Sequence, residues 1–286
     1  MTSAVSPRDR ALLSEVGRRG RLWSPSAEPT LISRGAENTT WAVEDYIVRY
    51  SDDVESVSRE VELLNALARA TSTPTPTPDL HEADLGIFAY RRLRGTPLMH
   101  LTQRTSPAIL AALIDALSAL RECLPASRLL IDRYPNQEWH TDALHTYHTV
   151  RPRLTDSQAR LVGAFLDEPP PPSRALASAQ HNDLGAEHIL INDRGALSGI
   201  LDWSDVALAD PARDIGSIYR DLGPAAAGFV SETLNGPLTD DELRRVRFHA
   251  RCRWLEDLAF GITNPILGKP YLDNAWFTFD HTFGAA

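Results

Sequence analysis

The sequence predicts a two-lobed α+β protein, and three observations carry that reading. Strand-forming segments concentrate in the first third, a proline-rich stretch and a short connector follow, and the remainder is dominated by helical periodicity. The boundary falls near residue 92, giving a small β-rich N-terminal lobe at 1–92 and a larger, mainly helical lobe at 93–286, with the natural cleft between them. A chain of 286 residues is long enough for one large domain or two such lobes.

Each element has its own signal. Residues 7–20 read as a helix with Leu12, Leu13 and Val16 on one face. Within 30–50, Trp41, Val43, Tyr46, Ile47, Val48 and Tyr50 are strand formers split by a turn at Glu44-Asp45, so a hairpin is expected, preceded by a loop at Gly35. Residues 52–70 give the clearest helix of the first third. Ser51 or Asp52 is placed to cap it, and Val54, Val57, Val61, Leu64 and Leu67 recur at three- and four-residue steps. The stretch TSTPTPTPDL alternates proline with threonine, which excludes a helix and predicts an extended connector. Gly86 to Tyr90 reads as a strand, followed by a turn at Gly95-Thr96-Pro97. Helices are predicted over 107–122 and 155–167, a proline linker at 169–172, and a mostly helical segment over 211–286.

Composition narrows the function classes. The hydrophobic fraction of 43% and charged fraction of 23% are those of an ordinary globular chain. No apolar run approaches the ~18 residues that cross a bilayer, and the first twenty residues lack a signal-peptide core, so a cytoplasmic protein without a membrane partner is expected. Cys123 and Cys252 have no CxxC partner and read as free thiols. A net charge of −9 argues against a nucleic-acid partner. Residues 101–286 carry 24 acids against 17 bases, a balance suited to a cationic small molecule or simply to solubility. Lys269 is the only lysine; every other basic side chain besides histidine is arginine.

The chemistry-bearing segment lies between residues 181 and 214. His181-Asn182-Asp183-Leu184-Gly185-Ala186-Glu187-His188 leads into an apolar strand at Ile189-Leu190-Ile191 and a turn at Asp193-Arg194-Gly195. A second apolar strand then delivers Asp202-Trp203, and Asp210-Pro211-Ala212-Arg213-Asp214 follows. Two paired strands joined by a tight turn bring Asp183, His188 and Asp202 to one end of a hairpin. Two carboxylates and a histidine held so close suit phosphoryl transfer. That reaction needs one carboxylate to orient and deprotonate a hydroxyl and hard oxygen ligands for a metal ion.

This segment resembles the aminoglycoside phosphotransferase family, a branch of the protein-kinase-like fold whose pattern is H-x-D-x-x-x-x-N, a strand pair, then an apolar residue, Asp and an aromatic. The resemblance implies a bilobal kinase-like fold with a nucleotide-clamping first lobe. It also implies transfer of the terminal phosphoryl group of ATP or GTP to a hydroxyl. Asp183 would be the catalytic base, His181 its supporting loop residue, and Asp202 the principal Mg2+ ligand. His188 stands where asparagine is common, although histidine occurs there in some branches, macrolide kinases included; it is kept as a metal-site residue despite the preference of magnesium for oxygen.

The same resemblance assigns the first lobe. Arg34-Gly35-Ala36-Glu37-Asn38-Thr39 takes the place of the phosphate loop, with Gly35, Asn38 and Thr39 facing the nucleotide. Arg49 replaces the usual lysine, and its carboxylate partner must come from the 52–70 helix. Helical phase places Glu60 at the edge of the buried stripe and Glu62 toward solvent, so Glu60 is chosen, since a buried acid needs a partner. Tyr90 opens the connector 90–95, where backbone groups would read the base. In the helical lobe, Asp205, Glu256, Asp257 and Asp273 are the acids available to a cationic acceptor, and Trp203, Trp254 and Trp276 are candidate pocket aromatics.

An antibiotic kinase acting on an aminoglycoside or related antibiotic is the leading expectation. The alternatives are a metabolic kinase for a sugar, an amino alcohol or a homoserine-like acceptor, and a catalytically silent nucleotide-binding module. A protein kinase is disfavoured, because the seven residues between Asp202 and Asp210 leave no room for an activation loop.

Overall fold

A computed structural model describes residues 5–35, 38–174 and 178–284. Helix α1 (Pro7–Gly20) precedes strands β1 (Thr30–Arg34), β2 (Thr39–Val43) and β3 (Tyr46–Tyr50); then come α2 (Val54–Ala70), β4 (Pro78–Glu82) and β5 (Ile87–Arg91). The strands form an antiparallel sheet in the order β1-β2-β3-β5-β4. Side-chain alternation sorts its two faces. Trp41, Val43, Val48, Ile87 and Ala89 pack with Leu13 and Val16 of α1. Ala42, Ile47, Phe88 and Tyr90 pack with Val57, Val61 and Leu64 of α2. Arg49, two residues beyond Ile47, therefore shares the face that meets α2.

Two local expectations are corrected. Helix α2 is capped by Asp53, whose carboxylate accepts from the Ser56 N–H at 2.9 Å, while Asp52 instead accepts from the Tyr50 hydroxyl. The proline-rich connector ends in β4, an outer strand paired with β5. Pro78 is its first residue, where a missing N–H costs the ladder nothing.

The chain continues through β6 (Thr96–Pro97), α3 (Pro107–Glu122), β7 (Leu130–Ile131), α4 (Asn136–Val150), α5 (Asp156–Asp167) and β8 (Ser178–Gln180). It then runs through β9 (Ile189–Ile191), β10 (Leu197–Ile200), β11 (Ala207–Ala209), α6 (Ala212–Leu222), α7 (Pro224–Asn235), α8 (Asp240–Thr263) and α9 (Lys269–Phe283). This β-sheet region followed by a helical remainder is an α+β arrangement. Strands β9 and β10 pair antiparallel, with Ile189 opposite Ile200, and β11 joins β7 and β8.

Helix α8 starts at a capping box, Thr239 with Glu242, and packs against α4, α6 and α9. Helix α4 has a weak apolar stripe, with Ala143 and Val150 buried among polar and histidine positions, which is why periodicity alone passes over it. Among the described residues Cys123 is a partly buried free thiol and Cys252 a buried one. No described helix is long and apolar enough to cross a membrane.

Candidate active site

The turn from His181 to His188 is held from beneath by buried carboxylates. Asp214, in the first turn of α6, accepts the backbone N–H groups of His181 and Asn182 at 2.7 and 2.9 Å. Asp221 accepts the N–H of Ala186 at 2.9 Å. Burial drives the Asp214 carboxyl above its usual range, against the pull of His181 and the two N–H groups. Asn182 holds a left-handed backbone, φ 66°, and so does Asp202, φ 58°. Non-glycine residues seldom adopt this conformation, and the surrounding contacts must over-determine it.

His181 is fully buried. Its Nδ1 accepts from the Asp183 N–H at 3.3 Å, so Nε2 carries the proton that it gives to the Leu201 carbonyl at 3.0 Å. This network assigns a neutral ring, and burial lowers its proton affinity. The ring packs on Trp203 at 4.7 Å between centroids. His181 thus ties the Asp183 turn to the segment that delivers Asp202.

Asp183 has both carboxylate oxygens engaged. Oδ2 meets His188 Nε2 at 3.2 Å and Oδ1 accepts from Arg253 at 3.0 Å. Burial pushes its proton affinity up, but the His188 hydrogen bond and the charges of His188 and Arg253 outweigh burial, so the carboxyl sits far below its ordinary range. For His188 burial works downward; the bond to Asp183 and the charges of Glu187, Asp183 and Asp202 push it up to about 9.

Arg49 reaches from β3 to two carboxylates with one nitrogen, Glu60 Oε1 at 3.0 Å and Asp202 Oδ1 at 2.9 Å. Glu60 is 8% exposed, whereas Glu62 is exposed and lies 3.7 Å from Arg128. Burial lifts Glu60 to about 7 despite Arg49. Burial opposes the Arg49 charge, yet Glu60 and Asp202 together hold its proton affinity above the usual value.

A cleft of about 800 Å³ opens beside this chain of contacts. Asn38, Arg59, Asp132, Trp139, Asp183, Asp205, Arg213 and Arg253 stand among its lining residues. Gly35 follows β1, and its N–H donates to the Asn38 carbonyl at 2.9 Å; Thr39 opens β2. Ala36 and Glu37, between them, lie outside the described residues. Tyr90 is buried near the end of β5, opposite Ile47.

Magnesium is typically held by one or two carboxylates together with substrate phosphates. Asp202 offers that chemistry. Its Oδ1 takes Arg49 and the Ser204 hydroxyl, the latter at 3.0 Å, while Oδ2 makes no hydrogen bond among the described residues. His188 offers a nitrogen already bonded to Asp183. Among the described residues no group of three or more His, Cys, Asp and Glu is arranged to hold a metal by itself.

The four acids expected at an acceptor divide. Asp205 lines the cleft. Glu256 lies one helical turn beyond Arg253, its charge felt by Arg253 and Asp183. The structure does not bring Asp257 or Asp273 there: Asp257 is 2.9 Å from the buried Arg220, and Asp273 pairs with Lys269 on α9. Trp203 and Trp254 are buried core residues, and Trp276 packs on Trp254.

Sequence reasoning passes over four cleft residues. Arg253 binds Asp183 and also donates to the Asn182 carbonyl. Arg213 pairs with Asp132 at 2.6 Å. Both guanidinium groups stack on Trp139, at 5.2 and 5.4 Å from its ring. The signal was present for Arg253: it falls between buried Cys252 and Trp254, and an arginine in such a run needs a partner as Glu60 does.

The sheet, the turn from His181 to His188 and the helical remainder define a kinase-like α+β protein. Solved structures of the same fold include the GDP and kanamycin complex of APH(2")-IIia, with TM-score 0.62 and 18% identity, covering 95% of this chain and 98% of that one. A macrolide 2'-phosphotransferase type I superposes with TM-score 0.57 and 18% identity, covering 99% of each chain.

Residues 28–249 match the phosphotransferase enzyme family, and the chain belongs to it. Viomycin phosphotransferase from Streptomyces vinaceus is 28% identical over 151 residues, 49% of this chain and 51% of the relative. The uncharacterized protein YcbJ of Bacillus subtilis (strain 168) is 46% identical over 39 residues, 14% of this chain and 13% of the relative. In these matches the chain spans at most about half the length of the curated relatives.

Proposed function

We propose that this protein is a small-molecule kinase. It moves the terminal phosphoryl group of ATP or GTP to a hydroxyl of a small molecule, an aminoglycoside or related antibiotic. The observation that carries the reading is a set of ion pairs beside the cleft, of which Asp183 and Arg253 line it. Glu60 meets Arg49, Arg49 meets Asp202, and Asp183 stands between His188 and Arg253 at the cleft.

In this reading Asp183 orients the acceptor hydroxyl and takes its proton, with His181 and His188 fixing the carboxylate. Arg49, steadied by Glu60, meets the α/β-phosphates. The loop at Gly35, Asn38 and Thr39 faces the phosphates, and the segment after Tyr90 reads the base. Asp202 would hold magnesium, which when bound neutralises charge on the transferring phosphates, while the charged ring of His188 stands beside it bonded to Asp183. Asp205 and Glu256 are the proposed acceptor contacts. The nucleotide and kanamycin named with a structural neighbour support this class of donor and acceptor.

A second reading, a metabolic kinase for a small hydroxylated acceptor, is favoured by one feature: Arg59, Arg213 and Arg253 line the same cleft as its acids. The deciding experiment is nucleoside-diphosphate release from ATP and GTP with magnesium, across aminoglycosides, macrolides and small hydroxylated metabolites, with Asp183→Ala as blank. Release that depends on a cationic antibiotic supports the first reading, and release with a metabolite alone supports the second. Turnover undiminished in Asp183→Ala would overturn both.

A further inference from the structure

A second pocket, of about 370 Å³, lies between α8 and the residues that follow α5. It is lined by Arg244, Arg247 and Arg251, at spacings that put all three on one face of α8. None of the three forms an ion pair among the described residues.

Each guanidinium is anchored by a single nitrogen. Arg247 donates through Nε to the Tyr219 hydroxyl at 3.3 Å, and Arg251 through Nε to the Thr282 carbonyl at 3.1 Å. Arg244 donates one terminal nitrogen to the Pro169 carbonyl at 3.1 Å. Aromatic rings support two of them: Arg251 lies 5.6 Å from Phe165 and 5.5 Å from Phe283, and Arg247 lies 6.0 Å from Tyr219. Among the described residues, anchoring through Nε leaves both terminal nitrogens of Arg247 and Arg251 without a hydrogen-bond acceptor. This is the fork that meets a phosphate in two-point fashion at little ordering cost. Glu168 and Asp240 also line the pocket, and Glu168 is the carboxylate whose charge reaches Arg251.

We propose that this pocket binds a phosphate-bearing small molecule, at a site separate from the cleft. Arg253, two residues beyond Arg251 and on a different face of α8, turns instead to Asp183.

Calorimetric titration of the full chain with pyrophosphate, at low ionic strength, tests it. Binding is expected to weaken about tenfold or more in the Arg247→Gln, Arg251→Gln protein. It should be retained in Arg49→Gln and tighten roughly threefold in Glu168→Gln, where a repelling surface charge is gone. The last variant reports even if the double substitution fails to fold. Equal affinity across wild type, the double variant and Glu168→Gln would overturn the proposal. So would loss of binding in an Arg49→Gln protein that circular dichroism shows to be folded, which places the anion in the cleft. Succinate binding as tightly as pyrophosphate would refute the phosphate assignment.

Discussion

Arg49 and Asp202 are 153 positions apart in sequence, yet guanidinium and carboxylate meet at 2.9 Å. The same Arg49 nitrogen holds Glu60. One cation therefore ties the sheet, α2 and the end of β10 together, and removing it leaves two acids facing each other's field.

Arg49→Ala is expected to destabilise the protein by about 3–5 kcal/mol, because it strands a buried carboxylate. Adding Glu60→Gln should recover part of that loss. Urea unfolding of the single and double variants measures it; additive losses would mean that the pair is not coupled.

The Glu60 carboxyl sits at about 7 when folded, above the ordinary glutamate range. An acid with a raised folded value contributes its stability fully below the unfolded value and loses it as pH rises through the folded one. The stability of wild type relative to Glu60→Gln should therefore fall between about pH 4.5 and 7 and level off above. Melting temperatures of the two proteins across that range check the sign.

Asp183→Ala should lower kcat by a factor of about 10²–10⁴, the usual worth of a general base, and leave nucleotide affinity within a small factor. Steady-state turnover beside equilibrium binding of nucleotide separates the two. A matching loss of nucleotide affinity would assign Asp183 to binding instead.

His188→Asn restores the residue common at this place in the resembling family and should keep most activity. The amide can still donate to Asp183, but it cannot carry the positive charge that helps hold Asp183 ionised. A folded, inactive His188→Asn protein would show that imidazole has a task of its own.

Arg253→Gln should reduce kcat with little change in nucleotide KM, since Arg253 holds Asp183 and the Asn182 carbonyl. Arg253→Lys should recover part of the activity. A rise in nucleotide KM with unchanged kcat would contradict a positioning role.

Local signals were legible where chemistry and periodicity coincide. The 181–202 segment carries its residue types at fixed spacing, and its strand pair brings Asp183 and Asp202 to one end. The phase of α2 separates Glu60 from Glu62 because a single apolar stripe dominates that helix. The cleft wall was not legible, because Trp139, Arg213 and Arg253 come from three helices whose meeting depends on packing. Acidity was a poor guide there: Asp257 is consumed by Arg220 and Asp273 by Lys269.

The arginine at position 49 also decides which reagents can report on this protein. Amine-directed nucleotide probes attach to a lysine beside the phosphates, and the one lysine side chain here stands on α9 against Asp273. A proteome survey that enriches kinases through lysine acylation would pass over this chain, however active it was. Guanidinium-selective dicarbonyl reagents would find Arg49 buried between Glu60 and Asp202, so covalent profiling of the site requires a probe aimed at another group.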